Sequence, residues 1–167
     1  MNDAVATRSE DYDCSACEDS LYFNFRESRY EFVPMGWGGN QFFLAAPTYV
    51  TGQGWQTMPG GSGRNMGMWA LNVPLNTNGY DRVRVSLYTP VNAVFQILVK
   101  NSATQALIQN TYVNNTGAGD YCDTLNFVAW AADEVDIYFG YNAVTNSAGF
   151  LRSLEWYDSS ITPHGCA

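Results

Sequence analysis

The sequence predicts an all-β fold, a sandwich or barrel of antiparallel strands, on three observations. Apolar residues recur with a period of two: Val83, Val85 and Leu87 alternate with Arg82, Arg84 and Ser86, as in a strand with one buried face. Gly, Asn, Pro and Ser interrupt the chain about every 8 to 15 residues in turn-forming clusters, as an all-β domain requires. Helical periodicity is missing: no window of about eleven residues carries apolar positions at i, i+3, i+4 and i+7 free of glycine, proline or β-branched runs.

The strands follow in order. Residues 21–25 (LYFNF) and 41–44 (QFFL) are aromatic, and 47–50 is a weaker candidate that starts on Pro47. Residues 66–73 run from Met66 through Trp69 to Val73, with Trp69 expected in the core. The alternating segment 81–88 is followed by 94–100 (VFQILVK), 106–113, 120–130, 135–142 and 150–157, all rich in Val, Ile, Tyr, Phe or Trp. Clusters such as Gly36-Trp37-Gly38-Gly39-Asn40, Pro59-Gly60-Gly61-Ser62-Gly63 and Asn114-Asn115-Thr116-Gly117 supply the turns between them. No crossover helix is available for a parallel sheet, and no internal repeat suggests a propeller or solenoid.

At 167 residues the chain is one domain, large enough to bury roughly two-thirds of its unfolded surface. Hydrophobic residues make up 46% and aromatics 15%, which excludes a disordered chain. Sixteen acids against eight bases give a net charge of -8, and Lys100 is the sole lysine. That balance argues against a nucleic-acid partner or an anionic membrane surface. No apolar run is long enough for a membrane span, and the N-terminus lacks the profile of a secretory signal, so synthesis in a host cytoplasm is expected. Composition breaks near residue 20: residues 1–20 form an acidic arm with six carboxylates, expected to be extended and pinned by the body or a neighbour, and 21–167 form the domain.

The segment Gly79-Tyr80-Asp81-Arg82-Val83-Arg84-Val85-Ser86-Leu87-Tyr88, followed by Val94 to Lys100, resembles the middle hairpin of jelly-roll carbohydrate-binding modules. Phe150 to Tyr157 is similar to their last strand, so the resemblance covers about half the chain. It implies an antiparallel jelly-roll-type β-sandwich, here with an extended N-terminal arm. Jelly rolls are also the material of virion proteins, and short glycine- and asparagine-rich β domains are similar to decoration, head-fibre and tail proteins of tailed bacteriophages.

Catalytic constellations are scarce. His164, the single histidine, sits near the C-terminus, which disfavours a triad, and no nucleophile elbow or phosphate-binding loop is present. Acids cluster at Asp120 and Asp123, at Asp133, Glu134 and Asp136, and at Glu155 and Asp158, as turn residues or as a glycosidase pair. Hard oxygen ligands in loops also suit calcium, with Asp120, Asp123, Asp133, Glu134 and Asp136 as its candidates. Cys14, Cys17, His164 and Cys166 would supply four zinc ligands; disulfides through Cys122 or Cys166, and buried thiols, are the alternatives.

Aromatic side chains are the best candidates for binding. Trp37 and Trp55 lie in glycine-rich loops, where an exposed indole can stack on a sugar; the alternative is a ring folded back on the core. Tyr88, Tyr138 and Tyr141 are further candidates. The first functional expectation is a non-enzymatic virion protein: a capsid decoration or cement protein, head-fibre or tail component on the virion surface. It would attach through its arm to other protein subunits by way of Tyr12, Leu21 and Tyr22. The second is a carbohydrate-binding module that stacks a glycan on these aromatics.

Overall fold

The computed structural model describes residues 20–30, 33–35, 48–57, 65–74, 79–143 and 147–166, and within them the chain forms eleven strands and no helix. They are β1 (Ser20–Asn24), β2 (Val33–Met35), β3 (Thr48–Val50), β4 (Gly54–Thr57), β5 (Asn65–Pro74) and β6 (Arg82–Thr89). The remaining five are β7 (Ala93–Asn101), β8 (Leu107–Asn115), β9 (Gly119–Asn126), β10 (Glu134–Ala143) and β11 (Gly149–Tyr157). Sheet A has the order β3-β4-β11-β6-β9, with β1 also paired to β11; sheet B has the order β2-β5-β10-β7-β8. Every pairing is antiparallel. The strand predicted at 41–44 and the arm predicted over 1–20 lie, Ser20 apart, outside the described residues.

Period two decides which side chains meet between the sheets. Sheet A sends in Leu21, Phe23, Val83, Val85, Leu87, Leu151, Leu154 and Trp156; sheet B answers with Phe95, Ile97, Val99, Val135, Ile137, Phe139 and Tyr141. All are buried, and each large apolar side chain so placed contributes roughly 1.5 to 3 kcal/mol.

Three segments depart from the sequence reading; the first is β2, which pairs with β5 although no strand was expected over 33–35. The strand expected over 120–130 stops at Asn126, because the chain turns inward: Phe127 N donates to Asp81 O and Trp130 N to Tyr80 O, both near 3.1 to 3.2 Å. The Trp130 ring meets Tyr80 edge-on at 5.2 Å and Trp156 at 5.7 Å, so it closes one end of the core. The third departure is Trp55, read as a loop residue. It lies on β4, only 2% exposed and packed edge-on against Tyr49, which corrects its assignment as an exposed sugar platform. Gly54 makes this possible. At φ +111° it brings β4 so close to β11 that a Cβ would stand 2.2 Å from the Leu151 carbonyl oxygen.

The outer face of sheet A is strapped by the C-terminal tail. Cys166 is disulfide-bonded to Cys122 on β9, with Cα atoms 6.1 Å apart. Glu155, 1% exposed, accepts hydrogen bonds from the backbone N of His164 at 2.8 Å and pairs with its Nδ1 at 2.7 Å. The His164 ring lies flat on Tyr22, with centroids 4.1 Å apart, and Arg84 Nη1 donates to the His164 carbonyl at 3.1 Å. These contacts explain why β11 is buried on both faces over its second half. They also correct three expectations. The zinc set cannot form, since Cys166 and His164 are committed to Cys122 and Glu155, while Cys14 and Cys17 lie outside the described residues. Leu21 faces the core at 0% exposure rather than a partner, and Tyr22 is covered by the tail. Tyr12 lies outside the described residues.

Candidate functional site

The outer face of sheet B carries no such strap among the described residues. Alternation on β7 turns Gln96, Leu98 and Lys100 outward; on β8 it turns out Asn110 and Tyr112, and on β10 Asp136 and Tyr138. Register sets these in rows across the sheet: Asp136 beside Lys100, Tyr138 beside Leu98 beside Asn110, and Gly140 beside Gln96 beside Tyr112. Two strand spacings and two residues separate Tyr112 from Tyr138, a diagonal of about 12 Å between their Cα atoms. That is the span of about two to three pyranose rings.

Polar groups fill the space between the rings. Gln96 Nε2 donates to Asn110 Oδ1 at 2.9 Å and to the Tyr112 hydroxyl at 3.2 Å. Gln96 and Asn110 thus set a side-chain amide pair between the two rings. Tyr112 is 54% exposed, and Leu98, 5% exposed yet outside the core cluster, is an apolar floor under the polar side chains. At the far end Lys100 Nζ lies 5.5 Å from the centre of the Tyr138 ring. The Tyr138 hydroxyl donates to Gln105 Oε1 at 3.5 Å, and Gln105 Nε2 donates to Asp136 Oδ2 at 2.9 Å. Burial first, and then the neighbouring Asp136 carboxylate, pushes the Tyr138 phenol above its ordinary range. It therefore stays neutral, as a donor and acceptor, at physiological pH.

This arrangement offers rigid aromatic surface, amides and a balanced pair of charges, which suits hydroxyl-rich, uncharged ligands. It does not bring acids together for catalysis: Asp120 belongs to β9 of sheet A and Asp136 to β10 of sheet B, on opposite outer faces. Each is also engaged, Asp120 by the Arg152 guanidinium and Asp136 by Gln105.

The other candidates fall elsewhere. Tyr141, on β10 three residues from Tyr138, faces the core at 0% exposure, and burial pushes its phenol up to about 12, which corrects its assignment to a binding surface. Tyr88 is half-buried on the outer face of sheet A, with the Arg152 guanidinium 5.2 Å from its ring centre and Phe150 beside it. Trp37 lies outside the described residues. The calcium candidates are scattered: Asp123 accepts from Thr124 N at 2.7 Å, while Asp133 and Glu134 line an open depression of about 310 Å³ with Asn101, Ser102 and Ala103. Among the described residues no three His, Cys, Asp or Glu side chains gather as metal ligands. Sequence reasoning missed Tyr112, Gln96 and Asn110. Strict alternation across Val113 would have placed Tyr112 outward.

No family model matches the chain, and no curated protein matches its sequence. The fold does have relatives among solved structures. A xylan-binding module, CBM15, superposes with a TM-score of 0.62 at 11% identity, covering 86% of this chain and 98% of that one. The CBM36-1 domain of a multidomain xylanase from the hindgut metagenome of Trinervitermes trinervoides gives 0.53 at 9% identity, covering 86% and 100%. CsCBM6-3 from Clostridium stercorarium in complex with cellobiose gives 0.50 at 14% identity, covering 83% and 94%. All three are carbohydrate-binding modules and none is a virion protein, which corrects the first functional expectation. The chain is an all-β, antiparallel jelly-roll sandwich of the architecture that these carbohydrate-binding modules share.

Proposed function

We propose that this chain is a non-catalytic module that binds a neutral, linear glycan on the outer face of sheet B. The observation that carries the reading is the Tyr112–Gln96–Asn110–Leu98–Tyr138 surface: two outward tyrosines about two to three sugar rings apart, with an amide pair between them. Sugar recognition needs flat apolar area for the ring faces and fixed hydrogen-bonding groups for the hydroxyls, and a paired sheet supplies both without ordering a loop. Support also comes from the architecture shared with a xylan-binding module and with a module solved with cellobiose. The Cys122–Cys166 disulfide is of a kind that persists in oxidising surroundings, where extracellular polysaccharides are met.

Titration calorimetry with xylohexaose and cellohexaose tests this. Binding of either is expected, together with a loss of about two- to tenfold in affinity for Tyr112→Ala and for Tyr138→Ala, since a stacked ring is worth roughly 0.5 to 1.5 kcal/mol. Binding that both variants leave intact would remove the glycan from this face, and the absence of binding to every soluble and insoluble β-linked glycan tried would overturn the reading.

A further inference from the structure

The turn between β7 and β8 holds Gln105 in the left-handed region, at φ +62°, a conformation that favours glycine and disfavours a side chain of this size. The turn does not need a glutamine to close. Asn101 Oδ1 accepts from Ala103 N at 2.9 Å and Thr104 N at 3.0 Å, and the Gln105 backbone N donates to Asn101 O at 2.7 Å. Glycine would serve that backbone bond equally well. The glutamine side chain reaches across to β10, where its Nε2 donates to Asp136 Oδ2 at 2.9 Å and its Oε1 lies 3.5 Å from the Tyr138 hydroxyl, which also hydrogen-bonds the Asp136 carboxylate. Nε2 also donates to two carbonyls of its own turn, Ser102 O at 3.2 Å and Asn101 O at 3.4 Å, which fixes the direction in which the amide points.

We infer that Gln105 is a positioning residue of the glycan face: it fixes the Tyr138 ring in its stacking orientation and holds the Asp136 carboxylate against the same amide. Backbone strain outside a core, kept by a residue whose side chain serves a surface aromatic, is the pattern of a pre-organised site. The inference rests on the proposed glycan reading and adds to it the element that prepares one stacking ring before ligand arrives. Pre-organisation acts on affinity by removing the cost of immobilising a side chain at the moment of binding.

The test compares wild type with Gln105→Gly, Gln105→Asn and Tyr138→Ala by calorimetry with xylohexaose and cellohexaose, and by thermal unfolding. Gln105→Gly is expected to weaken binding about three- to tenfold while the melting temperature holds or rises, because glycine relieves the left-handed residue. Gln105→Asn tolerates the same backbone but is one methylene short of Asp136, and is expected to lose the same affinity. Nuclear magnetic resonance of tyrosine-labelled protein without glycan supplies an independent readout. The Tyr138 side chain should occupy a single χ1 rotamer in wild type and average between rotamers in Gln105→Gly. Unchanged affinity and an unchanged Tyr138 rotamer in both Gln105 variants, with Tyr138→Ala still impaired, would overturn the inference and leave the glycan face standing. Binding that Tyr138→Ala also leaves intact would overturn the inference, and binding that Tyr112→Ala leaves intact as well would overturn the glycan face with it.

Discussion

The Trp156 indole Nε1 donates a 3.0 Å hydrogen bond to Gln109 Oε1, joining β11 of sheet A to β8 of sheet B through the interior. Gln109 is 3% exposed and its Nε2 donates to Thr111 Oγ1 at 3.1 Å, so its polar atoms are satisfied within the fold. Gln109→Leu keeps the volume but orphans the indole donor, and such a loss costs about 1 to 3 kcal/mol. Urea unfolding should show the midpoint falling accordingly, with an unchanged slope.

Gly54 gives a sharper test of packing. A Cβ there would stand 2.2 Å from a backbone oxygen of β11, and the residue's φ of +111° strains any L side chain. Gly54→Ala should therefore cost about 2 kcal/mol or more and separate β4 from β11. Gly52, at φ +80° with open space around it, should tolerate alanine far better, and thermal unfolding of the pair measures the difference.

Reduction of Cys122–Cys166 opens a loop spanned by 44 residues. Chain-entropy arguments put its contribution at about 4 kcal/mol. Cys122→Ser and Cys166→Ser should each lower stability by several kcal/mol, and neither should alter glycan affinity, since the bond lies on sheet A. Denaturation with and without a thiol reductant, followed by calorimetry of the folded variants, checks both.

Alkali should unfold the protein in a window set by its tyrosines. Tyr141 is buried and donates to Ser147 O at 2.8 Å; burial pushes its phenol up to about 12. Because the folded phenol binds its proton more tightly than the unfolded one, this contribution is complete below the ordinary tyrosine range, about pH 10, and is lost as pH climbs towards 12. Tyr22, Tyr49, Tyr121 and Tyr138 are shifted upward as well, by burial first and by nearby carboxylates second. Stability should fall steeply above about pH 10. Tyr141→Phe should make that fall shallower at a cost of about 1 kcal/mol at neutral pH. Melting curves across that range measure both.

How far sequence carries depends on which interaction placed the residue. Alternation identified β6, β7, β10 and β11, because a buried face leaves its period in the chain. The same rule separates Tyr141, in phase with Val135, Ile137 and Phe139, from Tyr138, out of phase with them; treating the two tyrosines alike ignored it. Trp55 was illegible for another reason: its flanking glycine makes a turn and a close strand contact look the same in sequence, and only the Leu151 carbonyl beside Gly54 distinguishes them. Glu155 reads as a surface acid and is buried because a tail nine residues on folds back to cover it. Gln105 depends on a backbone conformation and on two residues about thirty positions away, and no local pattern reports either.

The last strand is also the centre of sheet A. β11 pairs with β6 along one edge and with β4 and then β1 along the other, so three much earlier strands share a partner made later in the chain. A ribosome delivers β1, β4 and β6 long before β11, and until then they have no common template. Sheet B can zip up earlier, since β5, β7, β8 and β10 all precede it. A nascent chain stalled before Gly149 would expose the apolar sides of Phe23, Val83, Val85 and Leu87 to whatever chaperone or aggregate is nearby. Protection of these residues should arrive in one step, when β11 clears the exit tunnel.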